Sequence, residues 1–294
     1  MKSLVVLSGK GGVGKSSIVA SLAITMSEHK KIVCADCDVD GSNLSILFSI
    51  YPEDYEQWSY LSTNQIAIID KSKCNGCKKC VDSCYFDALD FKNNYPVLKE
   101  FSCEGCGVCE LVCPNKAITL KNVNNAQIGY AKTKYNFKIA SAQLLSSSSG
   151  SGKVVAEVRK KAKDIEPNAE IMIIDSAAGI GCPVIASVTG NDYALLITEP
   201  TIAGYEDMLR AIDIVNHFNI KYSIIINKFD LNKKYCDKIE LFAKQNNILI
   251  ISKIPFDKSF VKAMVNKIPI VEYDEKYKLI FKKINDEIIN KFLS

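Results

Sequence analysis

Residues 9–17 read GKGGVGKSS and stand between the apolar run Leu4–Leu7 and a stretch of helical composition. Strand, glycine-rich turn and helix, in that order, is the context in which Gly-x4-Gly-Lys-Ser works as a phosphate loop. Glycines let backbone N–H groups fold around phosphates and the helix N-terminus adds its positive dipole, so Gly11, Gly12, Val13, Gly14, Lys15, Ser16 and Ser17 are expected to hold a nucleotide. Lys15 is expected to reach the terminal phosphates, and the Ser16 hydroxyl to take magnesium. A glycine turn without a ligand is the alternative, and motif and context together count against it.

Working outward, short β-branched runs alternate with helical patterns at Leu4–Leu7, Lys31–Ala35, Ile171–Ile174, Ala194–Thr198, Ser223–Ile226 and Ile248–Ile251. Near-continuous apolar strands separated by helices predict a doubly wound α/β fold with a mainly parallel sheet covered on both faces. The alternation stops between about Trp58 and Ala126. It resumes after a polar stretch with room for two antiparallel strands, about Gln127–Lys132 and Asn136–Ala142. This predicts a discontinuous nucleotide-binding domain, 1–60 and 126–294, with a second domain, 61–125, inserted through ends that lie close together.

The inserted segment carries eight of the twelve cysteines, all between Cys74 and Cys113. Without a signal sequence, that density reads as metal ligation before disulfides. Cys74, Cys77, Cys80, Cys84 and Ala88 recur in the same order and at the same spacing as Cys103, Cys106, Cys109, Cys113 and Ala117, so the segment is two copies of one unit. Cys-x2-Cys-x2-Cys-x3-Cys, twice, resembles the bacterial 2(4Fe-4S) ferredoxins, in which the fourth cysteine of each run serves the other cluster. The resemblance implies an α+β domain. It assigns Cys74, Cys77, Cys80 and Cys113 to one cluster and Cys84, Cys103, Cys106 and Cys109 to the other. Zinc is the chemical alternative for four cysteines, although zinc ribbons use paired Cys-x2-Cys knuckles. The match departs at one point: Pro114 follows Cys113 as the pattern expects, whereas Tyr85 follows Cys84.

Lys10, directly after the first glycine, resembles the signature lysine of the deviant Walker A ATPases. That group includes the septum-positioning ATPase MinD, chromosome-partitioning ATPases and the nitrogenase iron protein. The resemblance implies that two subunits sandwich two ATP molecules and that Lys10 crosses to the partner's phosphates, as an arginine finger does. An exposed turn lysine is the plainer reading. DCDVDGSN, residues 36–43, looks like the group's first switch, with Asp38 orienting the attacking water and Asp36 near magnesium. Asp175, at the end of Ile171–Ile174, looks like its Walker B acid. Solvated strand-end acids remain the alternative for Asp36 and Asp40. NKFD, residues 227–230, resembles a base-reading loop, with Asn227 reading adenine and Pro255 of IPFD as the second wall; ATP is expected, and GTP is the alternative.

The leftover cysteines divide. Cys34 and Cys37 sit at a strand end, about 10 Å apart on opposite faces, too far for a redox disulfide. Cys236 lies in a polar helix and has no partner in sequence. Cys182 follows Asp175 by seven residues, and a cysteine at the matching place in the nitrogenase iron protein helps hold a cluster between subunits. A small residue opening a helix before Pro183 is the alternative. His29 and His217 lie in stretches read as helix, away from partner ligands. SSSSGSG, residues 146–152, ends in Gly-Lys but lacks the following Ser or Thr, so it reads as a flexible loop before a helix.

Basic and acidic residues, 37 against 33, are interspersed, which gives no field for nucleic acid. No apolar run approaches the roughly 20 residues of a membrane span, and the N-terminus has no export signal. A cytoplasmic protein is expected. The stretch Tyr277–Leu293 places Ile280, Ile284, Ile288 and Phe292 at helical spacing; packing as the closing helix is expected over lipid binding.

Host and insert together resemble MinD-superfamily ATPases that contain a ferredoxin domain, through GKGGVGKS, the cysteine runs, GIGCPVIAS, TEPTIAG and INKFDLN. The resemblance implies ATP, Mg2+ and two 4Fe-4S clusters as cofactors. It also implies an ATP-dependent homodimer, or a heterodimer with a related subunit. ATP hydrolysis coupled to electron transfer towards a redox partner is the expected function. The alternative is an assembly factor that delivers iron-sulfur or metal cofactor to an acceptor protein, and a membrane-positioning ATPase ranks below both. The first switch lies close in sequence to the insertion, which gives a short covalent route from nucleotide to clusters.

Overall fold

The apolar runs of the first unit come out as strands of one sheet, nine strands among the described residues. The structure is a computed structural model that describes residues 1–292 except Phe101 and Ser147, and not the side chain of Phe292. Ser147 of the serine-rich loop and Phe292 and Leu293 of the closing stretch therefore lie outside the described residues or side chains. From one edge to the other the sheet runs Leu249–Ile254, Lys221–Asn227, Tyr193–Thr198, Lys2–Ser8, Ile171–Ala178, Ile32–Cys37, Lys138–Leu144, Ala126–Lys132 and Glu56–Leu61. The first seven pair in parallel.

Both faces of the central strands are buried, as the continuous apolar runs require. On one face Leu4, Val6, Ile32, Cys34, Ile171 and Ile173 join a core with the helices Lys15–Ser27 and Glu275–Phe292. Their alternating neighbours Val5, Val33, Met172 and Ile174 are equally inaccessible, and the helix Ser151–Ile165 packs on Ile32–Cys37. That helix begins earlier than the composition suggested, taking Gly152 and Lys153 into its first turn. His29 lies just beyond the helix Lys15–Ser27, not within it, and His217 closes the helix Ile202–His217.

The closing helix uses its apolar stripe internally. Tyr277, Phe281, Ile284 and Ile288 are buried in the core and Ile280 packs against it, while Asn285 donates to the Leu22 carbonyl (3.1 Å) and to Thr25 Oγ1 (2.7 Å). Among the described residues no helix is long and apolar enough to cross a membrane.

The chain divides into two compact units, Met1–Trp58 with Ile128–Gln143 and Ser151–Ser294, and Ser59–Gln127 with Leu144–Gly150. The second contains two antiparallel pairs, Asn64–Ile69 with Ile118–Val123 and Leu89–Lys92 with Tyr95–Leu98. Two short helices, Lys79–Asp82 and Val108–Leu111, complete it. Its repeat is visible in the backbone: φ is positive at Gly76 and Gly105, at Lys78 and Gly107, and at Asp87 and Lys116. Each of these pairs occupies equivalent places in the two cysteine runs.

Candidate functional site

In the first unit the strand Lys2–Ser8 delivers the phosphate loop to the helix Lys15–Ser27. Two glycines there are dictated by packing. A Cβ on Gly9 would collide with the Asp207 carbonyl, and Gly14 has φ +90° with the Asn227 amide nitrogen where its Cβ would go. Gly11, Gly12, Gly14, Lys15, Ser16, Ser17 and Asp38 line one cavity of about 400 Å³, a size that suits a small ligand. Ile46, Leu47 and Met264 also line it; they come from segments to which no motif gave a role.

Sheet register places the two strand-end acids side by side, because Asp175 is the direct neighbour of Asp36 across the parallel pair. Both are fully buried. Lys15 Nζ is in close contact with Asp175 Oδ1. Burial opposes the charge on Lys15, but Asp175, with Asp38 and Asp36 behind it, outweighs burial and raises its pKa. Asp36 accepts from Ser42 Oγ (2.5 Å) and from the Leu44 amide (3.2 Å). Burial, then the charge of Asp175, push Asp36 up to about 7; burial likewise raises Asp38. Asp175 Oδ2 is buried with no hydrogen-bond partner. An unpartnered carboxylate oxygen beside a second acid fits a divalent cation.

The remaining expected residues sit elsewhere or do something different. The Asn227 amide donates to the Val13 carbonyl (2.7 Å) and its Oδ1 accepts from the Lys228 amide (3.0 Å). Asn227 therefore braces the phosphate loop, and both ends of its side chain are occupied. Pro255 is not among the residues lining the cavity; the adjoining Phe256 amide is held by Asp230 Oδ1 (2.7 Å). Lys10 Nζ is bound within its own chain to Glu199 Oε1 (3.2 Å). Glu199 takes Lys228 Nζ on its other oxygen (2.9 Å), and Lys228 also donates to the Gly12 carbonyl (3.0 Å). Burial works against the Glu199 charge, yet the two lysines lower its pKa. This triad was missed, although Glu199 carries a signal close to that of Asp175, an acid just after a run of buried, mostly apolar strand residues. Cys182 is exposed at the start of the helix Cys182–Val188 and does not line the cavity. Cys34 and Cys37 are buried, and Cys236, which had no partner in sequence, contacts Glu240 Oε1 (3.3 Å).

In the second unit the eight cysteines divide into two sets. Cys74, Cys77, Cys80 and Cys113 line one small cavity, and Cys84, Cys103, Cys106 and Cys109 line another. Three thiols of each set come from one run and the fourth from the other. The fourth cysteines are held alike: the Ala88 amide donates to Cys84 Sγ (3.3 Å) and the Ala117 amide to Cys113 Sγ (3.2 Å). Both alanines are 2% exposed and line the cavities, where a small side chain fits. Among the described residues no group of three or more His, Cys, Asp or Glu is placed to hold a metal ion.

An uncharacterized protein of Methanocaldococcus jannaschii is 37% identical over 97% of this chain and 95% of its own length. The iron-sulfur cluster carrier protein of the same organism is 23% identical over 98% of this chain and 84% of its own. Among solved structures, the septum site-determining protein MinD of Pyrococcus horikoshii, complexed with Mg-ADP, has a TM-score of 0.61 at 16% identity. It covers 98% of this chain and 95% of that one, a likeness of fold. The CobQ/CobB/MinD/ParA nucleotide binding domain matches residues 4–270, and the chain belongs to that family.

Proposed function

We propose that the protein is an ATP-hydrolysing iron-sulfur protein whose second unit is a ferredoxin-like domain with two 4Fe-4S clusters, and whose nucleotide state governs electron transfer through them. The observation that carries this reading is the division of eight thiols into two four-cysteine cavities, each completed by the other run. That crossing is what a two-cluster domain asks of its ligands. Cys74, Cys77, Cys80 and Cys113 would hold one cluster and Cys84, Cys103, Cys106 and Cys109 the other. Bound there, the clusters supply one-electron chemistry. The Ala88 and Ala117 amides, donating to sulfur, stabilise the more negative state of the clusters they serve.

In the first unit Lys15, Ser16 and the loop glycines bind the phosphates of ATP, while Ser16, Asp36 and Asp175 hold Mg2+. Magnesium entering beside Asp175 would supply the positive charge that Lys15 provides without it, which frees Lys15 for the phosphates. Asp38, in the same cavity, orients water. Lys10 must leave Glu199 to reach a second subunit, and Lys228 keeps Glu199 paired when it does. An ATP-dependent dimer follows from this reading.

The test is electron paramagnetic resonance and iron and sulfide analysis of anaerobically purified protein, with and without MgATP. About eight iron atoms per chain are expected, with midpoint potentials that differ between nucleotide states. Cys113→Ala should reduce iron to about four per chain and leave the signal of the Cys84, Cys103, Cys106 and Cys109 set. Identical potentials and electron-transfer rates in both nucleotide states would overturn the coupling.

A second reading, delivery of a cluster to an acceptor protein, is favoured by the full-length likeness to the iron-sulfur cluster carrier protein. ATP-dependent transfer of labelled iron to an apo-acceptor, without a change in potential, would select it.

A further inference from the structure

The two cysteine cavities differ in charge, and the difference follows the cavities and not the two repeats. Lys78 lines the first cavity, and Lys71, Lys73, Lys79 and Lys116, close in sequence to that set's cysteines, are exposed like Lys78. At the equivalent places of the second repeat, Lys71 becomes Glu100, Lys78 becomes Gly107 and Lys79 becomes Val108, while Asn75 becomes Glu104 and Val81 becomes Glu110. The fourth cysteine crosses between sets, and the charge crosses with it. Lys116, three residues after Cys113, falls on the lysine side; its repeat equivalent Asp87, three residues after Cys84, falls on the acidic side, where Lys99 pairs with it (2.6 Å).

Several of these lysines are held in place. Lys71 Nζ donates to Tyr95 Oη (3.0 Å) and lies 4.2 Å from that ring's centroid, and Lys78 Nζ lies 4.7 Å from the centroid of Phe91. Both rings belong to the hairpin beside the first cavity. Lys73 is paired with Asp70 (3.0 Å), whereas Lys79 and Lys116 make no ion pair among the described residues. Asp82 is an exposed acid of this segment, and Asp70 is partly buried. Lys78 also occupies a left-handed position, φ +63°, where the second repeat has glycine. A lysine is retained where local conformation prefers glycine, which points to a use for its charge.

We propose that this lysine-framed end of the second unit is a docking surface for an acidic protein, centred on the exposed Cys77 and giving that partner access to the site lined by Cys74, Cys77, Cys80 and Cys113. The inference rests on the reading of those thiols as cluster ligands. Ammonium groups held on aromatic rings lose less freedom on binding than free ones, and a ring of like charge around one site both steers and orients a partner of opposite sign. The second cavity is lined by Glu104, with Glu100 and Glu110 near its cysteines in sequence, and offers no such positive charge, so an acidic protein meets the first site.

The test uses full-length, cluster-loaded protein and a polyglutamate peptide as probe, with polylysine as the control of opposite sign. Hydrogen exchange should show polyglutamate protecting residues 71–80 and 113–117, with salt weakening the binding. Lys78→Gly, which copies the second repeat and relieves the left-handed lysine, combined with Lys79→Gln and Lys116→Gln, should weaken polyglutamate binding by at least about tenfold with iron content unchanged. Glu104→Gln with Glu110→Gln should leave it intact. Equal affinity in the lysine variant, or protection confined to the first unit, would overturn the docking surface. Protein without iron and sulfide would instead overturn the cluster reading, and the peptide measurement remains a separate result.

Discussion

The two units are held together by different means. The first buries a large apolar core, with Leu4, Ile18, Ile171, Tyr277 and Phe281 fully inaccessible. The second has Ala67, Cys80, Leu89 and Ile118 as the buried members of its core, and Cys84, Cys103, Cys109 and Cys113 packed against them. A unit of that size with so little apolar burial is in the range where the clusters proposed above would supply the balance of stability. On the proposed reading, the first unit is a fold that acquires a ligand and the second is a fold that its ligand would complete.

Removing iron should break this comparison open with the largest effect. Chelation under reducing conditions is expected to abolish hydrogen-exchange protection in Asn64–Ile69, Leu89–Leu98 and Ile118–Val123 while the strands Lys2–Ser8 and Ile171–Ala178 stay protected. Protection retained throughout the iron-free second unit would show that its core suffices. Next in size is Lys15→Ala, which removes a phosphate ligand and leaves Asp175 buried without its ion pair. ATPase activity should fall by at least about a hundredfold, and nucleotide-free stability by about 3–5 kcal/mol in urea.

Glu199→Gln should cost less, about 1–3 kcal/mol. Its pH dependence carries the sharper signature. The lysines depress the folded-state pKa of Glu199, so its stabilisation is present above the ordinary glutamate range and is lost as pH falls through the depressed value. The gap in stability between the parent and the variant, measured by thermal unfolding, should therefore close on acidification. The smallest effect belongs to the surface: Glu28 pairs with Lys278 (3.1 Å) and Lys282 (2.7 Å), and Glu28→Ala should change stability by less than about 1 kcal/mol.

Most of the fold was legible because its signals are local. Apolar runs such as Ile171–Ile174 and the helical spacing of Ile280, Ile284 and Ile288 follow from backbone periodicity, and each was found within a few residues of its observed place. Strand ends were less legible: Ile171–Ala178 continues past Ile174 through Asp175 and Ser176, since a polar residue stays in a strand when its neighbours supply the ladder bonds. The site divided in the same way. The loop from Gly11 to Ser17 could be read from its spacing, whereas Glu199 and Lys228 could not be joined by any pattern, since they stand on separate elements and only packing around Gly12 brings them together. Asn227 was legible as a site residue, but its partner, the Val13 carbonyl, was not.

By itself the sequence determined the phosphate loop, the alternation of strand and helix, the interruption by a repeated cysteine unit, and the spacing of each cysteine run. These are short-range patterns, in which chain geometry over a few residues leaves little freedom. Tertiary structure alone decided that Asp36 and Asp175 stand as neighbours beneath Lys15, because sheet register sets that contact between strands far apart in the chain. It also decided that Lys10 rests on Glu199 and that Lys78, which lines the first cysteine cavity, lies against the Phe91 ring. Register is a long-range fact that no local spacing encodes, whereas the crossing of the fourth cysteines was implied by the resemblance of their runs.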